Sequence, residues 1–372
     1  MRHLIKIAFI ILNLLVGAAL ASSAIVTWLS AIDHPRLVII SMTAPVWIVL
    51  AAALLIFDFF FLRKWCIWQA ICFGISLPLV FDIMPVNIPR GSVPERAKKG
   101  SWTLLNYNIV SYYDITGKYP GGINPAVSYI LNSDADVVVL PEADDKIDRK
   151  GTCFTDSQMD SLKQRYPYRL AGSDITLMSK FPAKTIDLPG FPKQLYNRTR
   201  AESKAGAYEL DINGKKTVII GVHLQSLGLT RSDKNLYKEF TRGEGLTSKT
   251  ELKEARKDLI GKVSKANLLR GLAINDICRF IDGLPKDVNV VVCGDFNDSP
   301  GCYSLRKLES IGLREVYPMV GHGYMYTYYK DRLFFQIDHV LFRGDLRPWS
   351  LKCDKLRSSD HFPNFTTFIE DN

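Results

Sequence analysis

Residues 290–297 read Val-Val-Val-Cys-Gly-Asp-Phe-Asn. An unbroken apolar run rich in β-branched residues predicts a strand covered on both faces, because a half-exposed strand would alternate apolar with polar. The run stops at Gly294, and Asp295 and Asn297 follow, so the strand end delivers two polar side chains to whatever lies beyond it. Four more runs finish in the same way. Leu104-Leu105 leads to Asn106 and Asn108, Val137-Val138-Val139-Leu140 to Glu142, and Val218-Ile219-Ile220 to His223, while a less regular approach through Ser358-Ser359 reaches Asp360 and His361. Each is weak alone, since a carboxylate after a strand is commonly a cap or turn residue and a lone His is commonly structural. Together they carry weight, because strand ends gather residues distant in sequence into one cleft.

The strands expected on this pattern are 102–107, 136–140, 175–179, 217–224, 288–293 and 337–342. Apolar residues at helical spacing, Leu252, Leu259, Val263, Leu268, Leu272, Ile277 and Ile281, predict a helix over about 250–281 that Gly261 and Gly271 are placed to divide. Residues 205–211 and 216–221 flank Asn213-Gly214, a pair suited to a two-residue hairpin turn. Antiparallel pairing is therefore expected, and residues 101–372 read as one large α/β domain with no internal repeat.

The chain of 372 residues has a net charge of +9 and is 47% hydrophobic, which excludes a disordered, collagenous or disulfide-scaffold protein. Its charge is divided unevenly. The first 90 residues hold nine charged side chains, leaving 41 basic and 35 acidic residues to the rest. Uncharged stretches of 26, 21 and 17 residues at 7–32, 37–57 and 65–81 predict three membrane-spanning helices. Residues 1–84 thus read as a membrane segment and the stretch 85–100, with Pro85, Pro89 and Pro94, as a linker. The first span also fits a signal peptide, with Arg2 and Lys6 ahead of the apolar run and the small residues Ala21 to Ala24 after it. Arg2, Lys6, Arg63 and Lys64 favour an outward-facing soluble domain, whereas Arg90, Arg96, Lys98 and Lys99 pull the other way. The seven cysteines form no CxxC pair, and Cys293 reads as a core strand residue.

Six ordered blocks resemble the endonuclease/exonuclease/phosphatase superfamily, which includes pancreatic deoxyribonuclease, apurinic endonucleases, neutral sphingomyelinases and inositol polyphosphate 5-phosphatases. They are Asn106-Tyr107-Asn108-Ile109, Leu140-Pro141-Glu142, Gly221-Val222-His223-Leu224, Gly294-Asp295-Phe296-Asn297, Ile337-Asp338-His339-Val340 and Ser359-Asp360-His361-Phe362-Pro363. Ser179-Lys180-Phe181-Pro182 is similar to a further family segment. The resemblance implies a four-layer α/β sandwich of two mixed β-sheets flanked by helices, here preceded by the transmembrane segment. It also implies that Glu142 is the principal ligand of Mg2+ or Mn2+, with Asn108 and Asp360 beside it, a set of oxygen donors suited to a hard cation. Asp295 would orient or deprotonate the attacking water, Asn297 would hold water or phosphate in line, and His223 and His361 would lie on the phosphate. Asp338 would fix the tautomer of His361, and the identity of the general base stays open. His339 and His322 read as structural.

The shared chemistry is cleavage of a phosphoester or phosphoanhydride, and loops decide the substrate. The insert 227–269 carries ten basic residues, among them Arg231, Lys234, Lys238 and Arg242, against six acidic ones. They are placed either to attract nucleic acid or lipid headgroups, or to pair along a solvated helix. The three-span anchor is similar to that of membrane-anchored teicoplanin-resistance proteins of this superfamily, which implies a lipid-linked phosphate or pyrophosphate at the outer face of a bacterial inner membrane. Two other readings stand beside it: a tethered nuclease, for which Tyr324, Tyr326, Tyr328 and Tyr329 would offer stacking surfaces, and a non-catalytic module that binds phosphorylated ligands. No obligate protein partner is evident.

Overall fold

The computed structural model describes residues 2–112, 122–143, 154–172, 174–191, 203–228, 249–330 and 333–370. Within them two six-stranded sheets form. The first contains β1 (Trp102–Asn106), β2 (Val137–Pro141), β3 (Tyr168–Ala171), β4 (Ile175–Ser179), β11 (Leu346–Cys353) and β12 (Asn364–Glu370), ordered β11-β12-β1-β2-β4-β3. The second contains β5 (Ala183–Ile186), β6 (Lys204–Ile212), β7 (Lys215–His223), β8 (Asn289–Asp295), β9 (Arg314–Glu315) and β10 (Asp338–Arg343), ordered β5-β6-β7-β8-β10-β9. Each sheet is mixed, with one parallel pair, β1 with β2 and β7 with β8, among antiparallel neighbours.

The helices are α1 (Arg2–Ile25), α2 (Ala44–Phe61), α3 (Arg63–Ile83), α4 (Glu95–Lys98), α5 (Pro125–Ser133), α6 (Asp156–Arg165), α7 (Lys249–Asp282), α8 (Tyr303–Glu309) and α9 (Val316–Val320). Alternation along β8 explains the layering. Val291 and Cys293 point into a core shared with Leu104, Val139, Ile175 and Phe368 of the facing sheet, while Val290 and Val292 pack with Ile274, Ile277 and Leu305 of α7 and α8. On the other outer face, Leu105, Val138 and Leu140 meet Val127, Ile130 and Leu162 of α5 and α6. The result is the expected four-layer sandwich, and the uniformly apolar strand run is the direct consequence of cover on both faces.

The expected hairpin forms, with Asn213 at φ 54° and Gly214 at φ 83°, so both turn residues adopt the left-handed conformation that matches strand twist. The helix expected to divide at its glycines runs unbroken as α7. Gly271 instead serves a close approach, since a Cβ there would lie 3.0 Å from Ile32 Cγ1. Of the basic insert, residues 229–248, including Arg231, Lys234, Lys238 and Arg242, lie outside the described residues; farther along, Lys262 pairs with Asp258 one helical turn away at 2.8 Å.

Among the described residues, three helices are long and apolar enough to cross a membrane, covering Ile5–Trp28, Leu37–Phe61 and Arg63–Ile83. They pack on one another through Val16, Leu20, Ile48, Ala51, Leu79 and Ile83. Buried polar groups inside this bundle bond to one another: Asn13 Nδ2 donates to Asp58 Oδ1 at 3.2 Å and Gln69 Nε2 to Asn13 Oδ1 at 2.9 Å, leaving Asp58 Oδ2 and Gln69 Oε1 without a partner. The Pro-rich stretch after α3, expected as a spacer, is docked on the α/β sandwich. Val86 bridges His322, Asn87 Nδ2 donates to the Pro318 and Gly321 carbonyls, and Arg90 donates to the Pro348 carbonyl at 2.8 Å.

Candidate active site

Register places three of the expected residues in one row. His223 at the end of β7 lies opposite Asp295 at the end of β8, and Asp295 lies opposite Asp338 at the start of β10. Gly294 permits this pairing, because at φ 143° a Cβ would fall 2.0 Å from the Val222 carbonyl oxygen. Beyond β8 the chain turns back at once: the Asn297 amide N–H donates to Asp295 Oδ1 at 2.8 Å, and Asn297 sits in the left-handed region at φ 50°. Its side-chain amide donates to the Leu224 carbonyl at 3.0 Å, joining the loops after β7 and β8.

The first sheet contributes from across the sandwich. Asn108, two residues past β1, donates through Nδ2 to both Glu142 Oε1 and Asp295 Oδ2 at 3.0 Å each, so one amide links the two sheets. Glu142, just past β2, takes φ 56°, a strained conformation for a side chain of this length that is held by its carbonyl accepting the Ser111 N–H at 2.7 Å.

Each histidine is oriented by a carboxylate. His223 Nδ1 lies 2.8 Å from Asp174 Oδ2, which also accepts Lys204 Nζ at 3.0 Å, and His223 Nε2 points to Glu142 Oε1 at 3.6 Å and Asp295 Oδ2 at 3.9 Å. Burial opposes the charged form of His223, but the Asp174 hydrogen bond and the charges of Asp295 and Glu142 outweigh it and raise its pKa. His361 Nδ1 lies 2.7 Å from Asp338 Oδ2 and its Nε2 lies 3.6 Å from Asp295 Oδ2. Burial again works against the imidazolium, yet Asp338 and Asp295 push His361 up to about 10. Burial raises the Asp295 carboxyl to about 6, against the pull of both histidines. The Tyr328 ring stands edge-on to His361 at 5.2 Å.

The carboxylate oxygens suit a hard cation, although each close group also includes an imidazole that its neighbours hold toward the charged form. Glu142, His223 and Asp295 each present a ligand atom within 4.8 Å of the others, as do Asp295, Asp338 and His361. Asp360 Oδ1 and Asp338 Oδ1 are buried without a hydrogen-bond partner, the state of an oxygen left for a ligand outside the chain. The trio expected to bind metal is brought together only in part. Asn108 turns Nδ2 toward Glu142 while its Oδ1 accepts the Val110 N–H at 3.1 Å, and Asp360 belongs to neither close group, with Lys330 Nζ 3.7 Å away. The physical reason is twofold: register sets His223, Asp295 and Asp338 side by side, and packing of the other sheet brings Glu142 and His361 to Asp295.

His339 is structural as expected, buried with Nδ1 2.6 Å from Glu315 Oε1 and Nε2 2.9 Å from the Asp298 carbonyl. His322 contacts the Asn87 carbonyl in a loop. Asp174 and Lys204 were not anticipated. Lys204 was within reach of sequence reasoning, since counting outward from the Asn213-Gly214 turn sets it opposite His223. Asp174 carries no comparable signal, because it meets His223 only when the two sheets pack.

A family model described as the Endonuclease/Exonuclease/phosphatase family matches residues 120–361. Among solved structures, a humanized TDP2 of D. rerio is similar at 16% identity, covering 72% of this chain and 99% of that one with a TM-score of 0.45. An endonuclease/exonuclease/phosphatase from Beutenbergia cavernae is similar at 15% identity, 73% and 72% coverage and TM-score 0.45. Beta toxin 275-280 from Staphylococcus aureus is similar at 17% identity, 71% and 99% coverage and TM-score 0.44. Among curated proteins none matches the chain. With the family model spanning the strand ends that carry Glu142, His223, Asp295, Asp338 and His361, the chain belongs to the endonuclease/exonuclease/phosphatase family.

Proposed function

We propose that the chain is a divalent-metal-dependent phosphoester hydrolase, anchored in a membrane by residues 1–84 and acting through residues 101–372 on a lipid-linked phosphate or pyrophosphate. The carrying observation is that Asp295 lies between two imidazoles, 3.9 Å from His223 Nε2 and 3.6 Å from His361 Nε2, with Asn108 linking it to Glu142. In this reading Glu142 and Asp360 would hold Mg2+ or Mn2+, joined by Asn108 once its amide turns the oxygen rather than Nδ2 toward the ion, and the bound ion would supply Lewis-acid polarisation of the phosphoryl group. Asp295, raised to about 6, is ionised at neutral pH yet basic enough to take a proton from the attacking water. Asn297 keeps the loop beside it closed and helps orient that water. His361 donates from Nε2 to a phosphoryl oxygen as negative charge develops, while Asp338 holds the proton on Nδ1; Asp174 does the same for His223.

The anchoring is supported by the three apolar helices and the lipid substrate by proximity. Cys302 Sγ, seven residues beyond Asp295, lies 3.4 Å from Ser41 Oγ, and a Cβ on Gly301 would come within 2.4 Å of Leu79 Cδ1. Arg2, Lys6, Arg63 and Lys64 at one end of the bundle favour that end facing the cytoplasm, with the hydrolase on the outer, periplasmic side of a bacterial inner membrane. The test is phosphate release by the full chain in detergent with Mg2+, comparing a polyprenyl pyrophosphate, a plasmid and a short single strand, with Asp295→Ala as control. Lipid turnover lost in the variant supports the proposal. Nicked DNA lost in the variant identifies a tethered nuclease instead, and no release from any substrate refutes hydrolysis.

A further inference from the structure

One buried guanidinium joins the two loops of the candidate active site to the N-terminal bundle. Arg270 of α7 is fully buried. Its Nη1 donates to the Gln225 carbonyl at 2.9 Å, two residues beyond His223, and its Nε faces Asp298 Oδ2 at 3.7 Å, three residues beyond Asp295. Its Nη2 donates to Asn267 Oδ1, and Asn267 Nδ2 donates in turn to the Pro35 carbonyl at 2.9 Å, in the loop between the first two apolar helices. The fixed fork of an Arg donates to two such groups at once while its charge lies beside Asp298, a spread that the single ammonium of a Lys does not match.

The partners of Arg270 are themselves held. Asp298 Oδ2 accepts Ser304 Oγ at 2.7 Å and the Asp298 carbonyl lies 2.9 Å from His339 Nε2, while the Gln225 N–H donates to Ser203 Oγ at 3.0 Å. One residue along α7, Gly271 lies against Ile32 and Ala31 of the same inter-helix loop. A shift of that loop therefore moves α7, and with it the group that spaces the β7 and β8 loops.

We infer that Arg270 is a positioning residue for the candidate site, and that the Asn267–Pro35 bond makes the N-terminal bundle part of its support. The inference rests on the hydrolase reading of the same site. A buried charge that only stabilises the fold is replaceable by an apolar side chain of similar volume with turnover intact, whereas a positioning group is not.

The experiment uses the full chain in detergent with Mg2+ and bis(p-nitrophenyl) phosphate, together with hydrogen exchange at the backbone amides of 224–228 and 295–300. Arg270→Met lowers kcat by about 10- to 100-fold with KM within about 2-fold, and Arg270→Lys recovers part of the loss. Asn267→Ala, which removes the bonds to Arg270 and the Pro35 carbonyl, lowers kcat by roughly 3- to 10-fold and speeds exchange in both loops. Folded Arg270→Met or Asn267→Ala protein with the parent kcat, pH profile and exchange overturns the inference. Should Arg270→Met fail to fold, Arg270→Lys and Asn267→Ala decide the matter. A parent chain that releases no product from this diester or from a polyprenyl pyrophosphate defeats the hydrolase reading, and the exchange comparison still decides whether Asn267 supports the loops.

Discussion

Replacing Asp338 by Asn tests the catalytic reading most directly. The side chain keeps its volume and remains able to accept from His361 Nδ1, but the charge 2.7 Å from the ring is lost. His361 titrates at about 10 in the fold, against about 6.5 for an unperturbed imidazole. The carboxylates around the ring therefore outweigh the burial that opposes the imidazolium, and Asp338 is the largest of the charges that do so. Loss of its charge moves the alkaline limb of kcat/KM down by at least about 1 pH unit. It also lowers kcat by about 10²- to 10⁴-fold, the range for a general acid–base group or its orienting carboxylate. The acid limb, set by Asp295 at about 6, persists but moves down, because the Asp338 charge also helps raise Asp295. Stability follows the same linkage. Because the folded pKa of His361 is raised, its contribution is complete below pH about 6.5 and disappears as pH climbs through about 10; Asp338→Asn flattens that slope. The assay is kcat/KM for a small soluble phosphodiester from pH 5 to 11, with denaturant midpoints over the same range. An unmoved alkaline limb with kcat within about 3-fold of the parent refutes the assignment of His361 as the charged donor.

Two further outcomes concern the metal and the backbone. Removal of divalent ions by EDTA abolishes phosphate release and added Mg2+ or Mn2+ restores it, while Glu142→Gln raises the Mg2+ concentration for half-maximal activity by about 10-fold or more; a metal titration in which Glu142→Gln matches the parent counts against Glu142 as ligand. Gly294→Ala drives a Cβ onto the Val222 carbonyl oxygen at a left-handed φ, so the β7–β8 register is lost or the fold is destabilised by about 3 kcal/mol or more, read as a lower Tm. An unchanged Tm would show that the strand pair relaxes at no cost.

The strands that carry the candidate site were legible in the chain because their environment is extreme. Residues 290–293 are covered by α7 on one face and by the other sheet on the opposite face, so selection for apolarity acts at every position and the run reads plainly. The hairpin was legible because Asn213-Gly214 meets a local backbone demand. Less visible was the company each polar residue keeps. Asp174 lies next to His223 only through packing of one sheet on the other, and Arg270 reaches Gln225, Asp298 and Asn267 from a helix whose pattern shows only spacing. The glycines of α7 misled for a similar reason: Gly271 is small because Ile32 comes close, a requirement set by an element some 240 residues away in the chain.

By itself, then, the sequence determined the central strands β1, β2, β4, β6, β7, β8 and β10, which helices are apolar enough to span a bilayer, and which acids and histidines follow apolar runs, because burial on two faces, hydrocarbon thickness and turn geometry act on consecutive residues; the more exposed or shorter β3, β5, β9 and β11, and β12 beside them, were not expected. Only the tertiary structure decided that Asp295 is the centre of the site, that Asn108 presents its amide nitrogen rather than its oxygen to Glu142, and that the segment after α3 is docked. Those outcomes depend on the register of neighbouring strands and the packing of two sheets, and the hydrogen bonds and Coulomb contacts that result join residues whose separation along the chain carries no periodic trace.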